Sequence, residues 1–472
     1  MGTFARTGNR RQQLVLALAT TLALGWHAGT QATTYAYEHI ANGARGQLIS
    51  ADGQLVAGVR GSDFAPTIWR DGTAYAVGNG NDFYRWLGIS ASGWVLANTA
   101  DLSNVYGAPA IWAWNAGSGS FARTDIGAFP DLQDTIGAGI DDQNNVFGYA
   151  TNRERPADKI FRPYIWTMAT GFTELTSFGH PDYPELPIAV SPGGVIATPN
   201  LSYQFGVPGS EVAVTPPPSP YTADNSATQF VNDAGMRAGF LRTVDAGVTF
   251  RHLARYSPDT SAWQVIAGPS GPSILWDTGS LDAQGTLTAT VNDPAPGFPE
   301  IGVRAEGPDG VAADVAPQIS AAYAGLIHVD GLNGETGSGA LLADLTLGDA
   351  SVMGKLVPVE ACTADCLVAT LELSVKVVDR NGSCTGLKNR SRVRVSVSDE
   401  TGAPVAGAAV SVALIDRAET LLEGVTNARG RATLRSSGPG CNGRVNAFVT
   451  GVTLPGASLD RTAGTLAASV LP

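Results

Sequence analysis

Cysteine is missing from the first 361 residues of this 472-residue chain; all four, Cys362, Cys366, Cys384 and Cys441, fall in its last quarter. A chain with thiols at one end only reads as two structural units, of which only the second can be cross-linked. Histidine is nearly as scarce. Beyond residue 32 there are only His39, His180, His252 and His328, in four separated segments. No G-x-S-x-G elbow, H-E-x-x-H pair or Gly-rich phosphate loop occurs, so acyl-transfer, zinc-protease and P-loop chemistry lack their local signatures. Charge is also thin, at 15% of residues against about 25% in ordinary soluble domains. What charge there is leans acidic, 42 Asp and Glu against 30 Lys and Arg, which argues against a nucleic-acid partner. The longest apolar run, residues 14–24, falls short of the roughly 20 residues a hydrocarbon core requires, so no membrane span is expected.

That apolar run follows Arg6, Arg10 and Arg11 and leads into small residues ending at Ala32. Basic, apolar and small regions in that order read as a cleaved secretory signal over 1–32, which implies a secreted protein, periplasmic or extracellular. The Arg10–Arg11 pair admits twin-arginine export, but Gln12 and Gln13 fit that signal poorly and general secretion is expected. In an oxidising compartment four thiols pair more readily than they bind metal. Three connectivities exist. Cys362 with Cys366 and Cys384 with Cys441 is the expected set, because the first pair is close in sequence and the second lies in loop-like segments. Zinc would require two close spacings, and only one is present.

Glycine, by contrast, is abundant, at 57 residues, and much of it is periodic. The stretches ISADGQLVAG, ISASGWVLAN, IDDQNNVFGY, VSPGGVIATP, VNDAGMRAGF and LDAQGTLTAT begin at Ile49, Ile89, Ile140, Val190, Val231 and Leu281. Periods of roughly 40–50 residues mark propellers or arrays. In each copy an aliphatic residue ends a strand, a turn tolerating positive φ follows at Gly53, Gly93, Asn144, Gly194, Gly235 or Gly285, and an apolar pair opens the next strand. PTIW, PAIW and PYIW then place Trp69, Trp112 and Trp166 at a shared position, and one repeat amounts to about four strands. Such a sheet has two exposed edges and cannot bury its own faces; radial stacking solves both problems.

The expected fold class is therefore all-β: a six- or seven-bladed β-propeller over 34–345, a linker over 346–360, and a β-sandwich with disulfides over 361–472. TYAYEHI, 34–40, alternates as a strand and is placed to complete the last blade. AGLIHVDGLNGETGSG continues the pattern towards a seventh. The tryptophans are expected as wedges between blades, with sugar-stacking platforms as the alternative. The fourth repeat lacks the P-x-I-W element and carries TPPPSPYTADNS, 215–226, an exposed polyproline loop.

The copies VNDAGMRAG and IDDQNNVFG, with APTIW and APAIW downstream, resemble the bacterial extracellular HAF-repeat family. The namesake histidine is absent. The resemblance implies an exported propeller-like protein and carries over no catalytic residue. GAPVAGAAVSV and TNARGRATL resemble the bacterial Ig-like domains appended to exported proteins, which implies a spacer or adhesion module near the end of the chain.

Candidate chemistry is sparse. SPDTSAW, 257–263, resembles the Asp-box turn of sialidase propellers, with Ser261 in the glycine place and Ala262 in the threonine place. That box is a structural turn, and a sialidase would also need three converging arginines, for which Arg237, Arg251 and Arg255 are the candidates. Asp141, Asp142 and Asn144, and Asp330, Asn333 and Glu335, are candidate calcium ligands without the D-x-[DN]-x-[DN]-G spacing, and turn-forming roles explain both more economically. His180, Asp182 and Glu185 in HPDYPE form a third metal candidate between two prolines. No catalytic residue or cofactor is assigned. The expected function is non-enzymatic binding of extracellular protein or glycan on blade loops. The alternatives are a polysaccharide hydrolase or lyase with its site in the central funnel, and a structural surface or matrix component. Oligomeric state is left open.

Overall fold

The computed structural model describes residues 33–470 except 79–82, 101–107, 153–159, 176–178, 181–182, 185, 224–227, 246–247, 269–270, 273, 293–299, 307–311, 324, 349, 379–387, 417 and 440–443. The proposed signal, Cys384 and Cys441 lie outside them. Regular structure in the described chain is strand apart from two short 3-10 turns at Ala316–Gln318 and Ala321–Tyr323.

Residues 34–359 form seven four-stranded antiparallel sheets. The first comprises Ala44–Ile49, Leu55–Arg60, Ala65–Arg70 and Thr73–Ala76, and the second Phe83–Ile89, Val95–Ala100, Pro109–Asn115 and Ser120–Asp125. The third comprises Asp134–Ile140, Val146–Thr151, Phe161–Thr167 and Gly171–Glu174, and the fourth Ala189–Val190, Val195–Ala197, Leu201–Gln204 and Val212–Ala213. The fifth is Phe230–Val231, Arg237–Asp245, Val248–Ser257 and Ala262–Val265; the sixth is Ile274–Leu281, Leu287–Asn292, Glu300–Ala305 and Ala313–Asp314. The seventh takes Ile327–Glu335, Leu341–Leu347 and Ala350–Val359 from the end of this region and Thr34–Asn42 from its beginning. The leading strand of each sheet touches that of the next, and that of the seventh touches that of the first. The arrangement is a closed ring, a β-propeller, with the first strand of the chain paired antiparallel to the last strand of the ring.

Two corrections follow. Residues 346–360, read from sequence as a linker, contain the ten-residue strand Ala350–Val359, which is the only partner of Thr34–Asn42 in its sheet. The ring unit consequently runs past 345, to 359. A strand that closes a ring carries its apolar residues on both faces, and Val352, Met353 and Leu356 are all buried, so alternation alone did not announce it.

The repeat turn recurs seven times among the described residues on one hydrogen-bonding plan, the first copy being one residue longer. The residue that follows the leading strand, Ser50, Ser90, Asp141, Ser191, Asn232, Asp282 or Thr336, donates its N–H across the turn and accepts the N–H of the glycine or asparagine three places on. Its side-chain oxygen also accepts the N–H that opens the next strand, as from Trp94 to Ser90 Oγ (3.2 Å), Asn145 to Asp141 Oδ1 (2.8 Å) and Ala340 to Thr336 Oγ1 (2.9 Å). Gly53, Gly93, Asn144, Gly194, Gly235 and Gly285 all adopt positive φ, between 66° and 86°, the region where a Cβ is costly.

Trp69, Trp112 and Trp166 sit in the seams. Trp69 packs with Leu342 and Met353 of the seventh sheet, Trp112 with Ala57 and Ile68 of the first, and Trp166 with Leu96 and Ile111 of the second. All three are buried, so their faces are used for packing between sheets. Tyr203 and Tyr256 hold the same register position in the fourth and fifth sheets, paired with Ile196 and Arg237 as Trp69 is with Val56.

Beyond the ring, residues 366–470 form two further four-stranded sheets. One orders Arg431–Pro439, Lys388–Ser398, Cys366–Val378 and Ser458–Leu459; the other orders Ala418–Val425, Ala409–Asp416, Val445–Thr453 and Ala467–Val470. Val393, Val395, Leu434, Val412 and Phe448 fill the space between them in a core that continues into Tyr35, Tyr37, Leu345 and Leu356 of the seventh sheet. Cys362 and Cys366 are joined by a disulfide, Cα–Cα 5.8 Å, at the start of this unit.

Candidate functional site

The ring breaks its own pattern between the fourth and fifth sheets. Strands of the fourth sheet are two to four residues long, whereas the two central strands of the fifth have nine and ten. The mismatch leaves part of the fifth sheet without a neighbour of equal length.

Two features occupy that space. The first is Arg237, which holds the register position of Val56, Val95 and Val146 in the first three sheets. It is fully buried. Its Nε and Nη2 donate to Ser202 Oγ at 3.0 and 2.7 Å and its Nη1 to the Thr198 carbonyl at 2.6 Å, both on the fourth sheet. A guanidinium thus replaces an aliphatic contact at this seam, and hydrogen bonds offset its desolvation. The second is the proline strap. Val214 N–H donates to Asn200 O at 2.7 Å, Trp263 Nε1 donates to Thr215 O at 2.9 Å, and Thr222 exchanges backbone hydrogen bonds with Arg242. The strap leaves the fourth sheet and is pinned to the fifth, with Pro216, Pro218 and Pro220 exposed.

Where the fourth sheet meets the turn of the fifth lies a recess of about 170 Å³ lined by Gln204, Ser210, Val212 and Asp233, together with Tyr203 and Tyr256. Gln204 Nε2 donates to Gly193 O at 2.8 Å, Asp233 Oδ1 accepts from Gly193 N–H at 2.7 Å, and Ser210 Oγ accepts from Gln204 N–H at 2.9 Å. These contacts fix an amide, a carboxylate and a hydroxyl in the lining of one small concavity, a mixture of donors and acceptors. Sequence offered Arg237 only as one member of a possible arginine triad and the fourth repeat only as a departure from the pattern; neither was read as part of this seam. The signal was there: an arginine in VNDAGMRAG where the other copies carry an aliphatic residue or a small one.

The remaining candidates are dispersed. Asp141 is buried and accepts from Gln143 and Asn145; Asp142 Oδ1 accepts from Ala91 N–H at 2.7 Å; Asn144 Oδ1 accepts from Ser90 and Ser92 hydroxyls, both 2.7 Å. They shape one turn and tie the second sheet to the third. Asp330 accepts from Thr346, Asn333 donates to Asp344, and Glu335 chelates Arg304, so that trio serves three different contacts. Among the described residues no group of three His, Cys, Asp or Glu side chains is arranged to hold a metal. His180 lies on a two-residue strand; its side chain and those of Asp182 and Glu185 fall outside the described residues. The three arginines diverge: Arg237 faces the fourth sheet, Arg255 Nη1 donates to Gly285 O of the sixth-copy turn at 2.6 Å, and Arg251 stacks over Phe240. Ser261 has φ 49°, so SPDTSAW makes the glycine-type turn with a serine.

One titrating group stands out. Asp344, partly buried in the seam between seventh and first sheets, accepts from Gly46 N–H at 2.9 Å and from Asn333 Nδ2 at 3.0 Å. Burial pushes its carboxyl up to about 7, against the pull of those two bonds and of Arg45. Asn98 and Thr290 occupy the same place in the second and sixth sheets, accepting from Gly137 and Leu332 N–H. All three satisfy an N–H at a β-bulge on the next sheet's leading strand, which gives Asp344 a structural explanation.

Comparison with known proteins adds resemblance in outline only. No family model matches the chain, and no curated protein does. Among solved structures it is similar to the β-propeller domain of the trilobed protease from Pyrococcus furiosus, at 12% identity over 66% of this chain and 79% of that one, TM-score 0.32. It is also similar to Sqt1 from Chaetomium thermophilum, at 12% identity over 69% of this chain and 100% of that one, TM-score 0.32. A prolyl endopeptidase matches at 12% identity over 82% of this chain and 60% of that one, TM-score 0.37.

Proposed function

We propose that this chain is an exported, non-enzymatic binding protein, made of a seven-bladed propeller of HAF-like repeats and an Ig-like β-sandwich. Its ligand is an extracellular protein or glycan held at the propeller face where the fourth and fifth blades meet. The observation that carries this reading is the local departure there. At the register position that carries Val, Ile or Leu in the other six sheets the fifth sheet carries the buried Arg237, bonded to a fourth sheet that is shortened and followed by a strap pinned to the fifth. Departures from a protein's own repeating rule mark functional places. Hydrogen bonding within the recess fixes Gln204 and Asp233 in advance, which lowers the entropic cost of binding.

The test is a glycan array and a pull-down from the native extracellular milieu with the full mature chain, in parallel with Gln204→Ala and Asp233→Ala. Binding that weakens in both variants supports the reading. Turnover of a polymer by the purified protein, or binding indifferent to both substitutions, refutes it.

A further inference from the structure

An uneven distribution of charge lies on one sheet of the C-terminal unit. In the strand Lys388–Ser398 the alternation SRVRVSVS sends Val393, Val395 and Val397 into the core, so Arg392, Arg394 and Ser396 take the opposite face. In Arg431–Pro439, Ala432 and Leu434 are buried, and Arg431, Thr433 and Arg435 are exposed. Register brings these together: Arg392 stands directly opposite Arg435, Arg394 opposite Thr433, and Ser396 opposite Arg431. On the other side, Ser374, Glu372 and Thr370 of Cys366–Val378 complete the face. Among the described side chains, four arginines therefore share one sheet face with one acid, Glu372. Among the described residues the only carboxylate paired with them is Glu372, which meets Arg394 at 3.2 Å in an exposed contact.

Three physical arguments separate this face from an ordinary solvated one. Like charges directly opposite on neighbouring strands destabilise a sheet, and Arg392 with Arg435 is such a pair. Solubility does not call for them either, since the chain has a net charge of −12 and added acid serves that end better. Charged side chains also blunt edge strands; that accounts for Arg431 and Arg435 on the edge but not for Arg392 and Arg394 on the interior strand. Among the residues of this face whose side chains are described, every cation is arginine, whose rigid fork binds carboxylate and sulfate bidentately where lysine offers a point charge.

We infer that this face is a second binding site, separate from the recess, for an extended anionic polysaccharide carrying carboxylate or sulfate groups. Strands lie about 4.8 Å apart and same-face residues about 6.7 Å apart along a strand, so the arginines form a planar grid. A grid suits a linear polymer with regularly spaced charge better than a single small anion, which binds in concave sites. Thr370, Ser374, Ser396 and Thr433 between the arginines are small hydroxyl residues that keep the surface flat and add hydrogen bonds to sugar hydroxyls. Stacking on single-stranded nucleic acid uses aromatic platforms, and membrane surfaces are gripped by apolar side chains beside the basic ones; this face offers hydroxyls in both places.

The test uses the full mature chain and four probes: polygalacturonate, dextran sulfate, vesicles of phosphatidylcholine with phosphatidylserine, and a single-stranded oligonucleotide, with neutral dextran as the blank. Saturable binding to one of the two acidic polysaccharides is expected. It should weaken with added salt and fall about tenfold or more in Arg392→Ser/Arg435→Ser. Lysine at the same two positions should restore only part of it. Because removing Arg392 relieves repulsion, the melting temperature of the double variant should not fall, which separates lost binding from lost fold. Equal binding by parent and variant overturns the inference, as does binding to neither polysaccharide, or tighter binding to vesicles or oligonucleotide. Gln204→Ala and Asp233→Ala should leave polysaccharide binding unchanged, so this inference and the reading of the recess stand or fall separately.

Discussion

Asp344 and Asn98 do the same work with different chemistry. Each accepts the bulge N–H of the next sheet, but only Asp344 ionises, and its carboxyl is raised to about 7 by burial. A carboxyl whose folded pKa lies above its unfolded value contributes stability that is complete below about pH 4 and is lost as the pH rises through 7. Asp344→Asn places the Asn98 solution at the closing seam. The variant should match the parent near pH 4 and exceed it at pH 8 by about 1–3 kcal/mol, a figure reduced for the partial exposure of the side chain. Urea unfolding of both proteins from pH 4 to 8 checks this, and a difference that does not change with pH would contradict it. Arg237 gives a second residue-level test. Arg237→Val should cost about 2–4 kcal/mol, because Ser202 and the Thr198 carbonyl lose a charged donor in a buried seam. Adding Ser202→Ala should recover part of that loss, a coupling that a denaturation double-mutant cycle reads directly. Neither role was legible in the sequence. Both depend on which face of which neighbouring sheet a side chain reaches, and single-chain periodicity carries no such information.

At the scale of the element, the repeat was legible because backbone conformation imposes it. Positive φ selects glycine or asparagine, and the six positions inferred from spacing share one turn geometry. Its seventh member, Thr336 with Gly339, escaped the alignment because Glu335 stands where the other copies carry an aliphatic residue. Paired with Arg304 and nearly inaccessible, Glu335 fills by ion pairing a place its relatives fill with a hydrocarbon. A less visible rule, kept by three of the seven sheets, concerns the residue before that position. A Cβ on Gly88 would lie 2.9 Å from Ile140 Cγ2, one on Gly139 would lie 2.8 Å from Val190 Cβ, and one on Gly334 would lie 2.9 Å from Ile49 Cγ2. Each glycine receives the aliphatic residue of the neighbouring copy, so the copies interlock around the ring. Gly139→Ala should therefore destabilise by about 1–3 kcal/mol through overpacking against a branched side chain that has no room to retreat. Gly451→Ala, where the added methyl meets nothing within 4 Å, should be neutral or slightly stabilising. Thermal melts of the two variants side by side test the rule; equal effects would remove it.

For the whole molecule, the change of pattern near residue 361 was plain in the sequence, but the relation between the two units was not. The ring's closing sheet and the C-terminal sheets share one apolar core, and polar contacts cross the same boundary. His39 Nε2 lies 2.9 Å from Glu419 and its Nδ1 2.6 Å from the Tyr37 hydroxyl, while Glu38 pairs with Arg461 at 2.8 Å. Burial raises the Tyr37 hydroxyl well above its ordinary value, so it stays protonated beside the His39 ring. Glu419 itself is held below the usual carboxylate range despite its burial, chiefly by the bond and charge of His39. Phe448 is the keystone of this contact, its ring 5.2 Å from Tyr37 and 5.6 Å from His39. A C-terminal unit hung on a flexible tether would melt alone, and a cavity made in it would leave the ring untouched. With a shared core the opposite is expected: Phe448→Ala should cost about 3–5 kcal/mol and lower the transition reported by the ring's tryptophans together with that of the C-terminal sheets. Calorimetry alongside tryptophan fluorescence decides the matter. An unchanged ring transition in the variant would mean that the seventh sheet closes without help from the unit packed against it.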